Sequence, residues 1–191
     1  MLPNEMLGVY TDLFADSFIC APEFIGGHRC FVITEEDKES KLNKIEVRGV
    51  PENSILLKMN CYKEPIATFK STKGECKRCD YVILTQYENT MHVIYIEMKS
   101  WELKKPDIIC QFKGAFCFMS YSNVIAEKFH NARISSAPQE RYVVLYANRN
   151  NKTSLFPKPV QNNHSFPENA MYFPVGSKKT KKGFVYLREL I

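Results

Sequence analysis

The sequence predicts an α/β fold in which a central mixed β-sheet is flanked by helices, and two observations lead to it. First, the apolar segments in the middle of the chain follow the order strand, strand, helix, strand. Second, the predicted strands are apolar on both faces, which is typical of strands in the middle of a covered sheet. A chain of 191 residues can bury a sizeable core, so we expect a single domain spanning residues 1–191.

The first third of the chain is predicted to supply one helix and several short strands. Leucine and aromatic residues recur at helical spacing within residues 1–20, which predicts a helix near the start. Residues 22–29 contain a proline and a Gly-Gly pair and are predicted to form a loop. Residues 35–44 are rich in charged side chains and are expected to lie in solvent. Short strands are predicted for residues 45–50 and 54–61.

Two β-prone segments in the middle of the chain are predicted to form an antiparallel hairpin. Residues 80–86 and 91–97 consist largely of branched and aromatic side chains, and residues 87–90 have the composition of a turn. If the strands pair around this turn, Asp80 lies directly opposite Glu97. Because both faces of each strand are apolar, the hairpin is expected to lie in the middle of the sheet.

A long apolar helix is predicted directly after the hairpin. It begins near Lys104, with Pro106 in its first turn, and runs to about Tyr121. Phe112, Phe116 and Met119 are expected to pack on the sheet, with Cys110 and Cys117 as further core residues.

The last third of the chain is predicted to add strands to the sheet. Residues 141–146 are expected to form an interior strand, and residues 148–168 a long loop. Residues 171–175 and 184–187 are predicted to pair with each other around a lysine-rich loop.

The end of the hairpin combines two carboxylates with a lysine. Glu97 and Lys99 are two residues apart on a strand, so they share one face, and the predicted pairing places Asp80 on that face. The Cβ atoms of Asp80 and Glu97 would then be ~5 Å apart, so the carboxylates would repel each other unless a cation lay between them. Mg²⁺ or Mn²⁺ suits such oxygen ligands. A lysine beside them can position water or neutralise a developing phosphoryl charge, which is the chemistry of phosphodiester hydrolysis.

The order of Asp80, a hairpin and then Glu97-x-Lys99 resembles the PD-(D/E)xK nuclease superfamily, which includes restriction endonucleases, junction resolvases and phage-defence nucleases. The resemblance covers residues 75–122 and implies the restriction-endonuclease-like core. It implies that Asp80 and Glu97 bind Mg²⁺ or Mn²⁺ and that Lys99 is the catalytic lysine. Gln111 falls in the following helix, where many members place a polar residue facing the site.

The chain departs from the superfamily pattern in two ways. Cys79 stands where many members have the proline of the first motif. The acidic residue that many members carry upstream has no single counterpart here, and the candidates are Glu75, Glu52, Glu23 and His28. The number of metal ions therefore stays open.

The charge of the chain is compatible with a polyanionic partner. The net charge is +5 and the pI is near 8.7. We expect phosphate contacts from basic residues in two short segments, namely Lys77, Arg78, Lys178, Lys179, Lys181 and Lys182. The resemblance implies a metal-dependent nuclease that favours DNA over RNA. It would act as a homodimer or as a subunit beside a partner protein, for example in a phage-defence system.

Two other functions stay open: a catalytically inactive module of the same fold that binds nucleic acid or a partner protein, and a nuclease directed at RNA.

The sequence disfavours several other classes of protein. No apolar run approaches the ~20 residues that span a bilayer, so we expect no membrane contact. The first residues do not resemble a signal peptide, so we expect reduced cysteines and a cytoplasmic location. The pair Cys76 and Cys79 has the spacing of one half of a zinc site, but no second pair follows.

Overall fold

The computed structural model of the protein describes residues 3–35, 40, 42–61, 68–100, 103–132, 137–147, 164–175 and 182–191. The two α-helices of these ranges are α1 (Pro3–Leu13) and α2 (Lys105–His130). The strands are β1 (Ile19–Cys20), β2 (Glu23–Ile25), β3 (His28–Thr34), β4 (Lys44–Arg48), β5 (Ser54–Lys58), β6 (Tyr81–Tyr87), β7 (Thr90–Lys99), β8 (Gln139–Ala147), β9 (Met171–Val175) and β10 (Lys182–Tyr186).

The strands form two mixed sheets. The main sheet has the order β1-β5-β6-β7-β8-β9; its first four strands pair antiparallel, and β7, β8 and β9 pair parallel. The second sheet has the order β10-β4-β3-β2, with β10 parallel to β4. The predicted α/β class is therefore confirmed. Within the described ranges, no helix has the length and apolar character needed to cross a membrane.

The main sheet is covered on both faces, which explains its doubly apolar strands. On one face, Tyr95 and its neighbours pack with Phe112 of α2 in a core that also includes residues of α1. On the other face, Ile96 packs with Ile45 and Val47 of the second sheet. Each strand of the hairpin therefore buries both of its alternating sets of side chains, as the sequence predicted.

The helix α2 is longer than predicted and buries a narrower stripe. It continues to His130 and ends where Asn131 adopts a left-handed conformation, with φ of 53°, which is a common helix stop. Phe112 and Met119 are buried as predicted, but Phe116 is 41% exposed, so that prediction is wrong. Four residues advance a helix by more than one turn, which moves Phe116 past the edge of the buried stripe.

Two predictions for the first third of the chain are wrong. Residues 22–29 form a hairpin of β2 and β3, in which Gly26 and Gly27 have φ values of 57° and 79° and make the tight turn. In the segment 35–44, Ser40 and Leu42 are buried, although charged side chains dominate the composition.

The predicted pairing of residues 171–175 with 184–187 is also wrong. The strand β9 pairs with β8 in the main sheet, whereas β10 pairs with β4 in the second sheet. The two strands are neighbours in sequence, but they complete different sheets. The intervening lysine-rich loop and residues 148–163 of the predicted long loop lie outside the described residues.

Candidate active site

The hairpin of β6 and β7 brings Asp80 and Glu97 together in the predicted register. Its pairs run from Tyr87 and Thr90 at the turn to Tyr81 and Ile96, so Asp80 and Glu97 are next in line. The backbone N–H of Asp80 donates to the carbonyl of Ile96 at 3.1 Å. The backbone N–H of Met98 donates to Oδ2 of the Asp80 carboxylate at 2.7 Å. The backbone of β7 therefore fixes the position of Asp80.

Glu97, Lys99 and Gln111 complete the site on the side of the sheet that faces α2. Nζ of Lys99 forms an ion pair with Oε1 of Glu97. The Glu97 side chain is only 1% exposed, whereas the Lys99 side chain is 25% exposed, so Lys99 lies between the carboxylate and solvent. The side chain of Gln111 approaches from α2 and lowers the pKa of Glu97 through hydrogen bonding. The structure thus brings the predicted site residues together.

Burial makes both carboxylates reluctant to ionise. It raises the pKa of Asp80 to about 6, and the Met98 N–H and the charge of Lys99 only partly offset this effect. Burial also raises the pKa of Glu97 to about 8, with a further contribution from the negative charge of Asp80. Burial lowers the pKa of Lys99, but attraction to Glu97 outweighs it and the net pKa is raised. If both carboxyl groups were ionised, the site would carry more negative charge than Lys99 alone balances.

Two buried oxygen atoms at the site lack a hydrogen-bond donor. They are Oε2 of Glu97 and Oε1 of Gln111, and both are screened from solvent. When Glu97 is ionised its Oε2 can only accept, so neither oxygen can satisfy the other, and an unpaired buried acceptor is costly. A cation, or water held by one, would supply the missing partner. The donor set, which is two carboxylate groups and one amide oxygen, consists of hard oxygen ligands.

Two carboxylate ligands suit Mg²⁺ better than a metal ion whose ligands all come from the protein. Within the described ranges, no three His, Cys, Asp or Glu side chains are close enough together to hold a metal ion. Cys76 and Cys79, the predicted half zinc site, are free thiols. Mg²⁺ is usually held by one or two carboxylates, and water and substrate phosphate complete its coordination. Asp80 and Glu97 meet that requirement.

A third carboxylate, which the sequence analysis missed, lies near the site. The negative charge of Glu35 raises the pKa of Asp80 and of Lys99. Glu35 directly follows β3, and β3 is tied to the hairpin because the hydroxyl of Tyr81 donates to the carbonyl of Thr34 at 2.9 Å and accepts from its N–H at 3.1 Å. This contact joins two sheets, so no local sequence pattern could have indicated it.

The four predicted upstream candidates lie elsewhere. Glu52 precedes β5 at the turn end of the hairpin, since Ser54 pairs with Thr85. Glu23 and His28 belong to the far end of the second sheet. Glu75 is exposed and its carboxylate accepts from the N–H of Lys73, two residues before it.

Serine side chains hold a further segment across the end of β7. Ser100, directly after the catalytic candidate Lys99, shares a hydrogen bond with Ser40. The N–H of Leu42 also donates to the Ser100 hydroxyl at 3.2 Å. The described residues 40 and 42 therefore cover the end of β7 on the face of the sheet opposite α2.

Three of the six predicted basic residues lie within the part of the chain that the structure describes. Lys77 forms an ion pair with Asp107 at 2.8 Å, and both side chains are about half exposed. Arg78 lines a pocket beside α2. Lys182 begins β10, and its backbone pairs with Lys44 in the second sheet. The remaining three, Lys178, Lys179 and Lys181, lie outside the described residues.

The cysteines only partly follow the prediction that they are core residues. Cys30, Cys76 and Cys79 are buried, but Cys110 is half-buried and Cys117 is exposed on α2.

Comparison with known proteins does not assign the chain to a group. No protein-family model, no curated protein and no solved structure matches the sequence or the fold significantly.

Proposed function

We propose that the protein is a nuclease that hydrolyses nucleic acid phosphodiester bonds with the help of Mg²⁺ or Mn²⁺. The observation that supports this most directly is the opposed pair Asp80 and Glu97, with an unpartnered Oε2 on Glu97 and with Lys99 beside it. Such a site is poorly balanced as a purely structural element, because a buried and a half-buried carboxylate share one lysine. It is well suited to a hard cation.

The roles of the residues follow from their positions. Asp80 and Glu97 would hold the cation, whose chemistry when bound would be polarisation of the scissile phosphate and activation of water. The Met98 N–H holds the Asp80 carboxylate in place, so a bound ion meets a fixed ligand. Lys99 lies on the solvent side of Glu97, where its ammonium can hold water or stabilise the charge that develops on the phosphoryl oxygens. Gln111 orients Glu97 from α2.

We also propose that the main sheet and α2 form a restriction-endonuclease-like core. The arrangement in support is a hairpin that ends at the acidic pair, then a helix, then a strand parallel to β7. DNA is favoured over RNA by the resemblance of the motif, and the same resemblance favours a homodimer or a subunit beside a partner protein, for example in a phage-defence system.

The decisive experiment is a cleavage assay with Mg²⁺ or Mn²⁺ on plasmid, linear duplex, single-stranded DNA and RNA. Wild type should cleave at least one substrate, and EDTA should stop it. Lys99→Ala should slow cleavage by ~10²–10³, which is typical for the loss of a positioned electrostatic group. Its melting temperature should change little, because the Lys99 side chain is partly exposed.

Lys128→Ala provides the matched control. Lys128 lies in the last turn of α2 with a side chain that is 67% exposed, and it pairs only with the neighbouring Glu127. This variant should cleave like wild type. Wild-type rates in Lys99→Ala would refute the catalytic assignment. Binding without cleavage on every substrate would favour an inactive module, and cleavage of RNA alone would favour the RNA-directed nuclease.

A further inference from the structure

A pocket with aromatic walls opens beside the candidate active site. It has a volume of about 330 Å³, within the lower part of the range of ~300–1,000 Å³ typical of small-ligand sites. Its walls come from the loop that precedes β6 and from one side of α2. The lining residues are Phe69, Glu75, Arg78, Gly114, Phe118 and Tyr121, together with the thiol of Cys117. Phe69 is 52% and Tyr121 is 64% exposed, so flat apolar rings are open to solvent here.

The pocket is directly connected to the site through the chain. Arg78 is two residues before Asp80, and Gly114 is three residues after Gln111 on α2. The loop touches the helix at Gly114, where an added Cβ would lie 1.7 Å from the carbonyl oxygen of Lys77. From the rise of an α-helix, Gly114 and Tyr121 lie about 5 Å and 15 Å beyond Gln111 along the axis. These distances correspond to roughly one to four nucleotides, at 3.4 Å per stacked nucleotide or more when a strand is extended.

The surroundings of the pocket are basic. Residues 70–78 and 104–107 contain six lysine or arginine residues and two acidic residues. The ion pair of Lys77 with Asp107 links these two segments. A polyanionic backbone would therefore be attracted to this rim, while the interior of the pocket offers ring faces.

We propose that this pocket receives one nucleobase of the substrate strand, roughly one to four nucleotides from the phosphodiester that is cleaved. The proposal rests on the proposed function, because it places the base relative to the same site. The exposed rings of Phe69 and Tyr121 provide stacking surfaces, which tolerate any base. Arg78 can donate to base-edge acceptors and Glu75 can accept from base amino groups, so the pocket suits a base that presents both. The pocket would thus set which position of the substrate influences cleavage.

The first test measures binding without cleavage. A labelled single-stranded DNA of about 20 nucleotides is titrated in EDTA with wild type, Tyr121→Ala and Phe129→Ala. Phe129 is the matched control, since it is a 79% exposed aromatic residue on α2 that does not line the pocket. Tyr121→Ala should weaken binding by about 5- to 100-fold, the range for loss of one stacked base. Phe129→Ala should bind like wild type, and equal losses in both variants would overturn the proposal.

The second test uses the exposed thiol of Cys117 as a reporter of occupancy. Alkylation of Cys117 is followed by mass spectrometry, which separates it from Cys110 because trypsin cleaves at Lys113 between them. The same oligonucleotide at saturation should slow alkylation of Cys117, with the partly buried Cys20 as reference. Unchanged alkylation of Cys117 under saturating oligonucleotide would refute occupancy of the pocket.

The third test places the base relative to cleavage. In the presence of Mn²⁺, substrates with an abasic site at successive positions should lose rate at one position near the cut, and Tyr121→Ala should abolish that dependence. Protection of Cys117 without cleavage of any substrate would support the pocket while refuting the proposed function. Cleavage without protection of Cys117 would support the proposed function while refuting occupancy of the pocket. A dimer that Tyr121→Ala dissociates, with unchanged oligonucleotide affinity, would show that a second copy covers this face and would overturn the proposal.

Discussion

Two glutamates on neighbouring strands face α2 from the same side of the main sheet, but their surroundings differ. Glu140 of β8 accepts a hydrogen bond from the Tyr142 hydroxyl at 3.0 Å, and Tyr95 also lowers its pKa through hydrogen bonding. The rings of Tyr95 and Tyr142 are stacked with centroids 4.7 Å apart. Glu97 of β7 has a lysine on one oxygen, no hydrogen-bond partner on the other, and the Asp80 carboxylate opposite.

The difference shows how a buried carboxylate can be either structural or available for a ligand. Burial raises the pKa of both glutamates. At Glu140, neutral hydroxyl donors provide a lasting partner and add no charge, so the group is satisfied within the fold. At Glu97, a second carboxylate adds repulsion that is relieved either by protonation, which the raised pKa of Glu97 reflects, or by a bound cation. The two positions therefore predict opposite responses to metal.

The largest expected effect separates the two glutamates by activity. Glu97→Gln should lower the cleavage rate by ~10²–10³ and abolish stabilisation by Mn²⁺, because it removes an ionised ligand. Without metal, it should melt at the same temperature as wild type or higher, since it removes repulsion with Asp80. Glu140→Gln should keep both the rate and the Mn²⁺ response, because an amide oxygen can still accept from Tyr142. Cleavage rates and melting temperatures with and without Mn²⁺ decide the matter, and loss of the Mn²⁺ response in Glu140→Gln would break the comparison.

A smaller effect is expected when the loop that leads into Asp80 is displaced. Gly114→Ala would place a methyl group 1.7 Å from the Lys77 carbonyl oxygen, so the loop that leads into Asp80 must move. We expect a loss of about 1–3 kcal/mol in the free energy of unfolding, together with slower cleavage. Gly8→Ala on α1 is the control, because no atom lies within 4 Å of the added Cβ. That change should stabilise by ~0.5–1 kcal/mol through helix propensity. Chemical denaturation measures the free energy of unfolding of both variants. An unchanged value in Gly114→Ala would show that the contact of Gly114 with Lys77 does not support the Asp80 end of the site.

The smallest expected effect is a pH dependence of the metal-free protein. The pKa of Glu97 is about 8 in the folded state against an ordinary value of 4.5, and that of Asp80 is about 6 against 3.8. The folded state therefore holds protons that the unfolded state has released, so stability in EDTA should fall as pH rises from about 4 to 8. With Mn²⁺ the stabilisation by metal should instead grow over this range, because the ion binds ionised carboxylates.

Urea denaturation at successive pH values tests this dependence. Glu97→Gln should flatten the slope between about pH 6 and 8. The pKa of Glu140 is raised as well, so Glu140→Gln should flatten only part of the slope at lower pH. A wild-type slope in Glu97→Gln would show that Glu97 is already ionised without metal.

The parts of the site that the sequence predicted are those fixed by local geometry. The register of Asp80 against Glu97 follows from a short turn and from alternation along two strands, and Glu97 and Lys99 share a face because they are two residues apart. Glu35 could not be predicted, because its place depends on the contact of Tyr81 with a strand of the other sheet. Gly114 gave no signal either, since its close approach to Lys77 is visible only in three dimensions.

The fold shows the same division between local and distant information. The helix α2 was predicted from helical periodicity, and strands β6, β7 and β8 from β-prone apolar runs. The separation of β9 and β10 into different sheets was not, because sequence proximity favours pairing of neighbours. The partner of β10 is chosen by its apolar face, on which Val185 is buried against the second sheet.

The parallel pairing of β10 with β4 has a consequence for how the protein is made. Lys182 pairs with Lys44, so the contact joins residues 138 positions apart (182 minus 44). Ribosomes synthesise roughly 5–20 residues per second, so β4 waits about 7–28 s for its partner strand. During that time the edge of β4 that β10 later covers has unpaired backbone groups, which is the kind of edge at which chains aggregate. Chain growth thus leaves the second sheet incomplete until the segment containing Val185, Leu187 and Leu190, which are all buried, has left the ribosome.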